Sequence, residues 1–161
     1  MSTEWTDDGR TPEERLEAMG LTLPAPFPPA ASYRAVRSHG DVMYVSGHGP
    51  MRDGAAVYQG KLGSDVDIET GKLSAQLTAL NILASVRQEL GRLDRVTGFL
   101  KLLVLVNATP DFLLPHQVAD GASDLLHALY GPSVAHARSA IGVATLPFAI
   151  TTEIEAVLTF A

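Results

Sequence analysis

His136-Ala137-Arg138-Ser139-Ala140-Ile141-Gly142-Val143, then Leu146-Pro147, then Glu153-Ile154-Glu155-Ala156, is the stretch on which the fold turns. Side chains alternate between the two faces of a strand. Arg138, Ala140, Gly142 and Ala144 therefore share one face, and Ile141 and Val143 the other. The arginine's neighbours on its own face are all small, which leaves a hollow beside a guanidinium. Such a hollow suits a small carboxylate held by a bidentate, charge-assisted pair. An arginine at a strand end, wet or paired with a structural acid, fits the same residues. In the strand that follows, Glu153 and Glu155 share one face, and Ile154, Ala156, Leu158 and Phe160 the other. The apolar face belongs under helices, so both acids look out from the open side of the sheet. Two carboxylates on a side that becomes covered need partners, because unpaired buried charge is costly. One could pair with an arginine and the other could orient a water. Whether Arg138 comes round to that side depends on the turn at Leu146-Pro147, and local pattern does not fix that register.

Upstream, residues from about Ile68 to Leu90 form the strongest helix. Leu73, Leu77, Leu80, Ile82, Leu83, Ala84, Val86 and Leu90 cover most of its surface, and Ser74, Thr78, Asn81, Ser85, Gln88 and Glu89 form a narrow polar stripe. So broad an apolar surface predicts contact with both a sheet and another helix. Gly91 fits its end. Val96 to Val106 is nearly all apolar and reads as a central strand buried on both faces. A second helix runs from about His116 to Tyr130, weakened by Gly121 and stopped by Gly131-Pro132. Strands at about 139–145 and 151–160 close the chain. Before the first long helix, Val36 starts an extended segment and Val42 to Ser46 a strand. Asp53-Gly54 signals a hairpin turn with a return strand from Ala55 to Gly60.

Residues 1–10 are polar and acidic and read as disordered. Thr11-Pro12-Glu13-Glu14 has the form of a capping box, with a short helix to about Met19. Pro24, Pro26, Pro28 and Pro29 make an extended arm. The expected division is an N-terminal extension over 1–30 and one domain over 31–161. The element order predicts an α+β two-layer sandwich with helices on one sheet face. The apolar central strand also asks for cover on the other face, which a second copy of the chain would supply.

Composition narrows the function. The 161 residues suit one domain with a real core. The net charge of -6 and the lack of a basic run argue against nucleic-acid binding. Without cysteine there are no disulfides, thiolate metal sites or cysteine nucleophile. Histidines 39, 48, 116, 127 and 136 lack metal-like spacing, so no metal is expected. No phosphate loop or dinucleotide fingerprint occurs, and Ser46-Gly47-His48-Gly49 lacks the first half of a nucleophile elbow. Its backbone amides could cradle a ligand, or it could be a plain turn. The first residues show no apolar leader and Phe99 to Val106 is too short to span a bilayer, so a cytoplasmic location is expected.

Tyr33, Ser46-Gly47 and the run from Arg138 to Ala156, in this order and spacing, resemble the RidA family, also called YjgF/YER057c/UK114. The resemblance covers residues 30 to 161. It implies a chorismate-mutase-like fold, with a mixed sheet covered on one face by two helices, and a homotrimer with ligand clefts between subunits. It also implies hydrolysis of reactive enamines and imines, such as 2-aminoacrylate and 2-iminobutyrate, to 2-keto acids and ammonia without a cofactor. Carried across by position, Arg138 would clamp the substrate carboxylate and Glu153 would activate the water. Tyr33, Ser46, Gly47 and Ala140 would border the pocket. A trimer that binds small carboxylates without turnover is the alternative, and endoribonuclease, a name borne by some members, fits poorly with the acidic charge. The chain departs from the pattern at His136, where a proline is common, at His48, where glutamine is frequent, and at Ala119 or Asp120 in place of an asparagine. These departures mark a divergent branch and bear on the substrate.

Overall fold

Asp67 starts the long helix α2, Ile68–Leu90, by accepting a hydrogen bond from the Thr70 amide at 2.7 Å. Gly91, at φ 86°, ends it by donating to the Arg87 carbonyl. The computed structural model describes residues 5–26, 28 and 31–161. Its strands are β1 (Val36–His39), β2 (Val42–His48), β3 (Met51–Arg52), β4 (Ala55–Ala56), β5 (Val96–Asn107), β6 (Ala137–Val143) and β7 (Thr152–Phe160). Its helices, beside α2, are the short α1 (Pro12–Ala18) and α3 (Pro115–Tyr130). The main sheet runs β1-β2-β7-β5-β6, and β3 and β4 pair apart from it. All its neighbours are antiparallel except β5 and β6, which are parallel and need α3 as their crossover. The mixed sheet with helices on one side is the architecture expected.

One face of the sheet makes the core. Met43, Val45, Leu102, Val104, Val106, Ile154, Ala156 and Leu158 are buried against the helices, with Leu80 and Leu83 of α2 and Leu125 and Leu129 of α3 opposite. The intervening Leu103, Leu105 and Val157 are only half-buried. One copy of the chain thus covers β5 on a single face, not on both as its composition suggested, because every helix that packs on the sheet does so from the same side. Gly121 is no weak point in α3: a Cβ there would fall 2.0 Å from the Lys72 carbonyl oxygen, so its bare backbone sets how closely α2 and α3 approach.

Two other expectations change. The return strand is only Ala55–Ala56, because after Val57, whose amide still donates to Pro50, residues 58–60 turn away to bond the segment before β7, with the Gly60 amide donating to Ala149. Residues 1–4 of the run expected to be disordered lie outside the described residues. Trp5 packs over Gly131 and carries the Arg15 guanidinium 5.1 Å above its ring, and Asp8 pairs with Arg10 and Arg15. The capping box of α1 forms, with Thr11 and Glu14 bonding each other's amides, and Glu13 accepts from the Leu93 amide at 2.7 Å. Pro24 and Pro26 of the proline arm lie beside the C-terminal end of α2 without regular structure; Pro29 lies outside the described residues. Among the described residues no helix is long and apolar enough to cross a membrane.

Candidate functional site

The register of β2 against β7 slips between Val45 and His48, a bulge of the kind that re-aims side chains. It carries Ser46 and Gly47 past Glu153. The Ser46 hydroxyl donates to the Arg34 carbonyl at 2.7 Å and its amide to Ala35, which pins the segment bearing Tyr33. Tyr33, Ser46, Gly47 and Glu153 then line one cavity of about 150 Å³, with His48, Met51, Asn81, Pro147, Phe148 and Ile150 among its other walls. Among the described residues no lysine or arginine lines it. Gly47 is needed for this closeness, since a Cβ there would lie 2.1 Å from Glu153 Oε1. Burial, and then repulsion from Glu155, raise the Glu153 carboxyl above its ordinary value. A carboxylate held in this way is suited to accept a proton from a water beside it.

His48 closes the cavity from behind. Its Nδ1 lies 2.6 Å from the Ser46 carbonyl and its Nε2 2.8 Å from the Ser85 hydroxyl. A carbonyl only accepts, so Nδ1 carries the proton and Nε2 accepts from Ser85. Burial lowers the His48 pKa, which keeps the ring neutral at neutral pH. Ser85 belongs to a polar seam buried between α2 and the sheet. Ser74 and Thr78 both meet the Thr152 hydroxyl, at 2.6 and 2.9 Å, and Asn81 donates to the carbonyls of Met51 and Leu77. This seam is the stripe seen in the sequence, yet Ser74, Thr78, Asn81 and Ser85 are all buried.

Arg138 and Ala140 are not in this cavity. Arg138 sits opposite Leu102 of β5, whereas Glu153 sits opposite Leu105 and Glu155 opposite Leu103. Leu102 faces the helices and Leu103 and Leu105 face away, so within one copy the arginine and Glu153 occupy opposite sides of the sheet. The hollow beside Arg138 is taken up by α3: Nη1 donates to Asp120 and Ser123, each at 2.9 Å, and Nη2 donates to the His116 carbonyl at 3.2 Å. In a single copy the arginine is paired with an acid. A guanidinium has five N–H donors, and among the described residues these three bonds leave two, the number a bidentate carboxylate takes. His136 lies beside it, bonded to Ser123 at 3.0 Å, and burial and the Arg138 charge both lower its pKa.

Sequence reasoning missed Asn81 and Phe148 as cavity walls. A polar stripe flanked on both sides by apolar residues was the available signal for Asn81. Phe148 and Ala149 both hold positive φ, 55° and 54°, in the turn that the Leu-Pro pair begins, and nothing local announced it. Among the described residues no group of three or more metal-binding side chains assembles.

Comparisons place this geometry among known proteins. The family model described as "YjgF/chorismate_mutase-like, putative endoribonuclease" matches residues 13–157. Protein TCP17 of Trypanosoma cruzi is 38% identical over 144 residues, covering 89% of this chain and 90% of that protein. The crystal structure of Atu1372 from Agrobacterium tumefaciens superposes with a TM-score of 0.88 at 38% identity, over 93% of this chain and 92% of the other. A protein from Shewanella oneidensis, solved as "a putative endoribonuclease", gives a TM-score of 0.90 at 29% identity, over 94% and 100% of the two chains. With the fold and the matched span in agreement, the chain belongs to the YjgF/RidA family.

Proposed function

We propose that this protein hydrolyses reactive imines and enamines of small 2-amino acids, of the 2-iminobutyrate and 2-aminoacrylate type, in clefts shared by neighbouring subunits of a homotrimer. The observation that carries the reading is the separation of Arg138 from Glu153. One copy offers a half-buried acid in a cavity without a cation, and an arginine with two unused donors on the far side of its sheet. An imine of a 2-keto acid has a carboxylate for the one and an electrophilic carbon for the other. The half-buried Leu103 and Leu105 mark the open face on which a second copy would sit. Arg138 of one subunit would then hold the carboxylate while Glu153 of the next takes a proton from water. The water oxygen bonds to the imine carbon and the nitrogen gains the proton from Glu153; the hydroxyl of this adduct then gives up its own proton to the nitrogen by way of the same carboxylate, and the carbon–nitrogen bond breaks to give ammonia and the 2-keto acid. Such an imine is already electrophilic, so placement supplies much of the rate. No cofactor is needed for this sequence. A net charge of -6 and a cavity without cations weigh against a polyanionic RNA substrate.

The test couples a threonine dehydratase with threonine and follows loss of the imine against its spontaneous hydrolysis. Arg138→Ala and Glu153→Gln subunits, each inactive alone, are then unfolded together and refolded as mixed oligomers. A site drawing its two groups from different subunits is intact in about a quarter of random pairings, so about that share of activity should return. No recovery, with oligomers formed, places both groups in one subunit and sinks the shared cleft. Saturable binding of 2-oxobutyrate without turnover in the native chain would leave a binding trimer instead.

Gly47→Ala tests the acid's seat. The clash it creates is with the flexible end of Glu153, so the side chain shifts and the backbone does not. A displaced base should lower turnover by about tenfold or more, with an unchanged circular dichroism spectrum and melting temperature. Full activity would show that the acid's position over Gly47 is immaterial.

A further inference from the structure

The buried seam along α2 is satisfied at every hydroxyl it presents to Thr152 and His48, but not at Asn81. Both Nδ2 hydrogens of Asn81 are committed, to the Met51 and Leu77 carbonyls, each at 2.9 Å. Two acceptors around one atom of an amide identify it as the nitrogen. The oxygen is therefore fixed by elimination, and it has no donor, although the residue is only 2% exposed. Leaving a buried acceptor unpaired is costly. Of the described residues that hold a buried side-chain atom without a partner, Asn81 alone lines the Glu153 cavity. Most of the remaining surface there is apolar, from Met51, Pro147, Phe148 and Ile150.

We propose that Asn81 is a specificity-determining residue whose carboxamide oxygen accepts a hydrogen bond from an N–H or O–H in the side chain of the ligand. The favoured substrates are thus imines whose side chain ends in a hydrogen-bond donor, and aliphatic analogues of equal size are disfavoured. This inference rests on the deaminase reading of the same cavity and adds the substrate class. A donor-bearing side chain pairs the orphan oxygen, and an aliphatic one leaves it desolvated and unpaired. Sites built to hydrogen-bond a substrate group discriminate far more strongly than sites that sort by a methylene. The neutral His48 ring beside it, with both nitrogens already engaged, offers no competing donor to that oxygen.

The experiment uses the full chain and matched pairs of 2-imino acids made in place by an L-amino-acid oxidase with catalase. Asparagine is paired with leucine and homoserine with norvaline, each pair nearly equal in shape. In the native protein kcat/KM should favour the donor-bearing member of each pair by about tenfold or more. Asn81→Leu should bring each ratio close to one. Because each ratio is taken within one protein, loss of total activity does not blur it, and if Asn81→Leu does not fold the native ratios decide alone. Equal rates within each pair, or preference for the aliphatic member, would overturn the proposal, the orphan oxygen then being met by water. If no imine at all is hydrolysed faster than in buffer, the deaminase reading fails separately. Calorimetry with the four matching 2-keto acids then judges Asn81 by the same ratios in affinity: tenfold tighter binding of the donor-bearing acids upholds it, and equal binding overturns it.

Discussion

Arg138→Ala is expected to lower kcat/KM for 2-iminobutyrate by at least about a hundredfold while leaving the protein folded. Charge-assisted hydrogen bonds contribute about 1.5–3 kcal/mol each, and two of them to one carboxylate account for that loss. The arginine's bonds to Asp120, Ser123 and the His116 carbonyl lie at the edge of α3, where water can reach the partners once the arginine is gone, so their loss should cost only about 1–3 kcal/mol. Arg138→Lys should recover little, because an ammonium carries charge without the planar fork. The distinguishing measurement is steady-state kinetics beside a thermal melt. Wild-type turnover in Arg138→Ala would remove the arginine from the reaction, and a collapsed melt would assign it to the fold through Asp120 and Ser123.

Glu153→Gln should lower kcat by about a hundredfold to ten-thousandfold, the range for a positioned base. The pH dependence carries further information. Burial, then Glu155, raise the folded carboxyl above its ordinary value of 4.5, so the native protein should gain activity as pH climbs past that value and the acid ionises. The glutamine variant should lack this rise. Stability moves the other way. Between 4.5 and the raised value the folded chain binds more protons than the unfolded chain, so stability falls as pH increases through that window and then levels. Glu153→Gln should accordingly melt above the native protein at neutral pH and together with it below pH 4.5. A native melting curve that rises across the window would mean that an opposite charge, and not burial, dominates the site in the assembled protein.

Much of the fold was legible because it is written in local periods. The alternation from Glu153 to Phe160 placed both acids on the open face, and the burial of Ile154, Ala156 and Leu158 matches it. The apolar girth of α2 and the glycine after it marked a helix that contacts both the sheet and α3. The side on which Arg138 lies was not legible. It follows from the parallel register with β5 and from a turn with two consecutive positive φ values at Phe148 and Ala149, and neither leaves a periodic mark. The stripe Ser74, Thr78, Asn81 and Ser85 was visible, but its burial was not, because the partners that make burial tolerable, Thr152 and His48, lie far away in the chain. Family resemblance named the site residues, and the cavity adds Asn81 and Phe148 to them.

The placement of β7 bears on how this molecule comes into being. It is the last strand in order along the chain, yet it lies third of five across the sheet, joining the β1-β2 pair to the β5-β6 pair. Until it docks, the chain holds two strand pairs with no backbone link between them, and the hydroxyls of Ser74 and Thr78 lack their mate on Thr152. Pairing so remote in sequence closes large loops and is slow to form. The same strand delivers Glu153 to the bulge at Gly47. Completion of the sheet and assembly of the acid's cavity are therefore one event in the life of the chain.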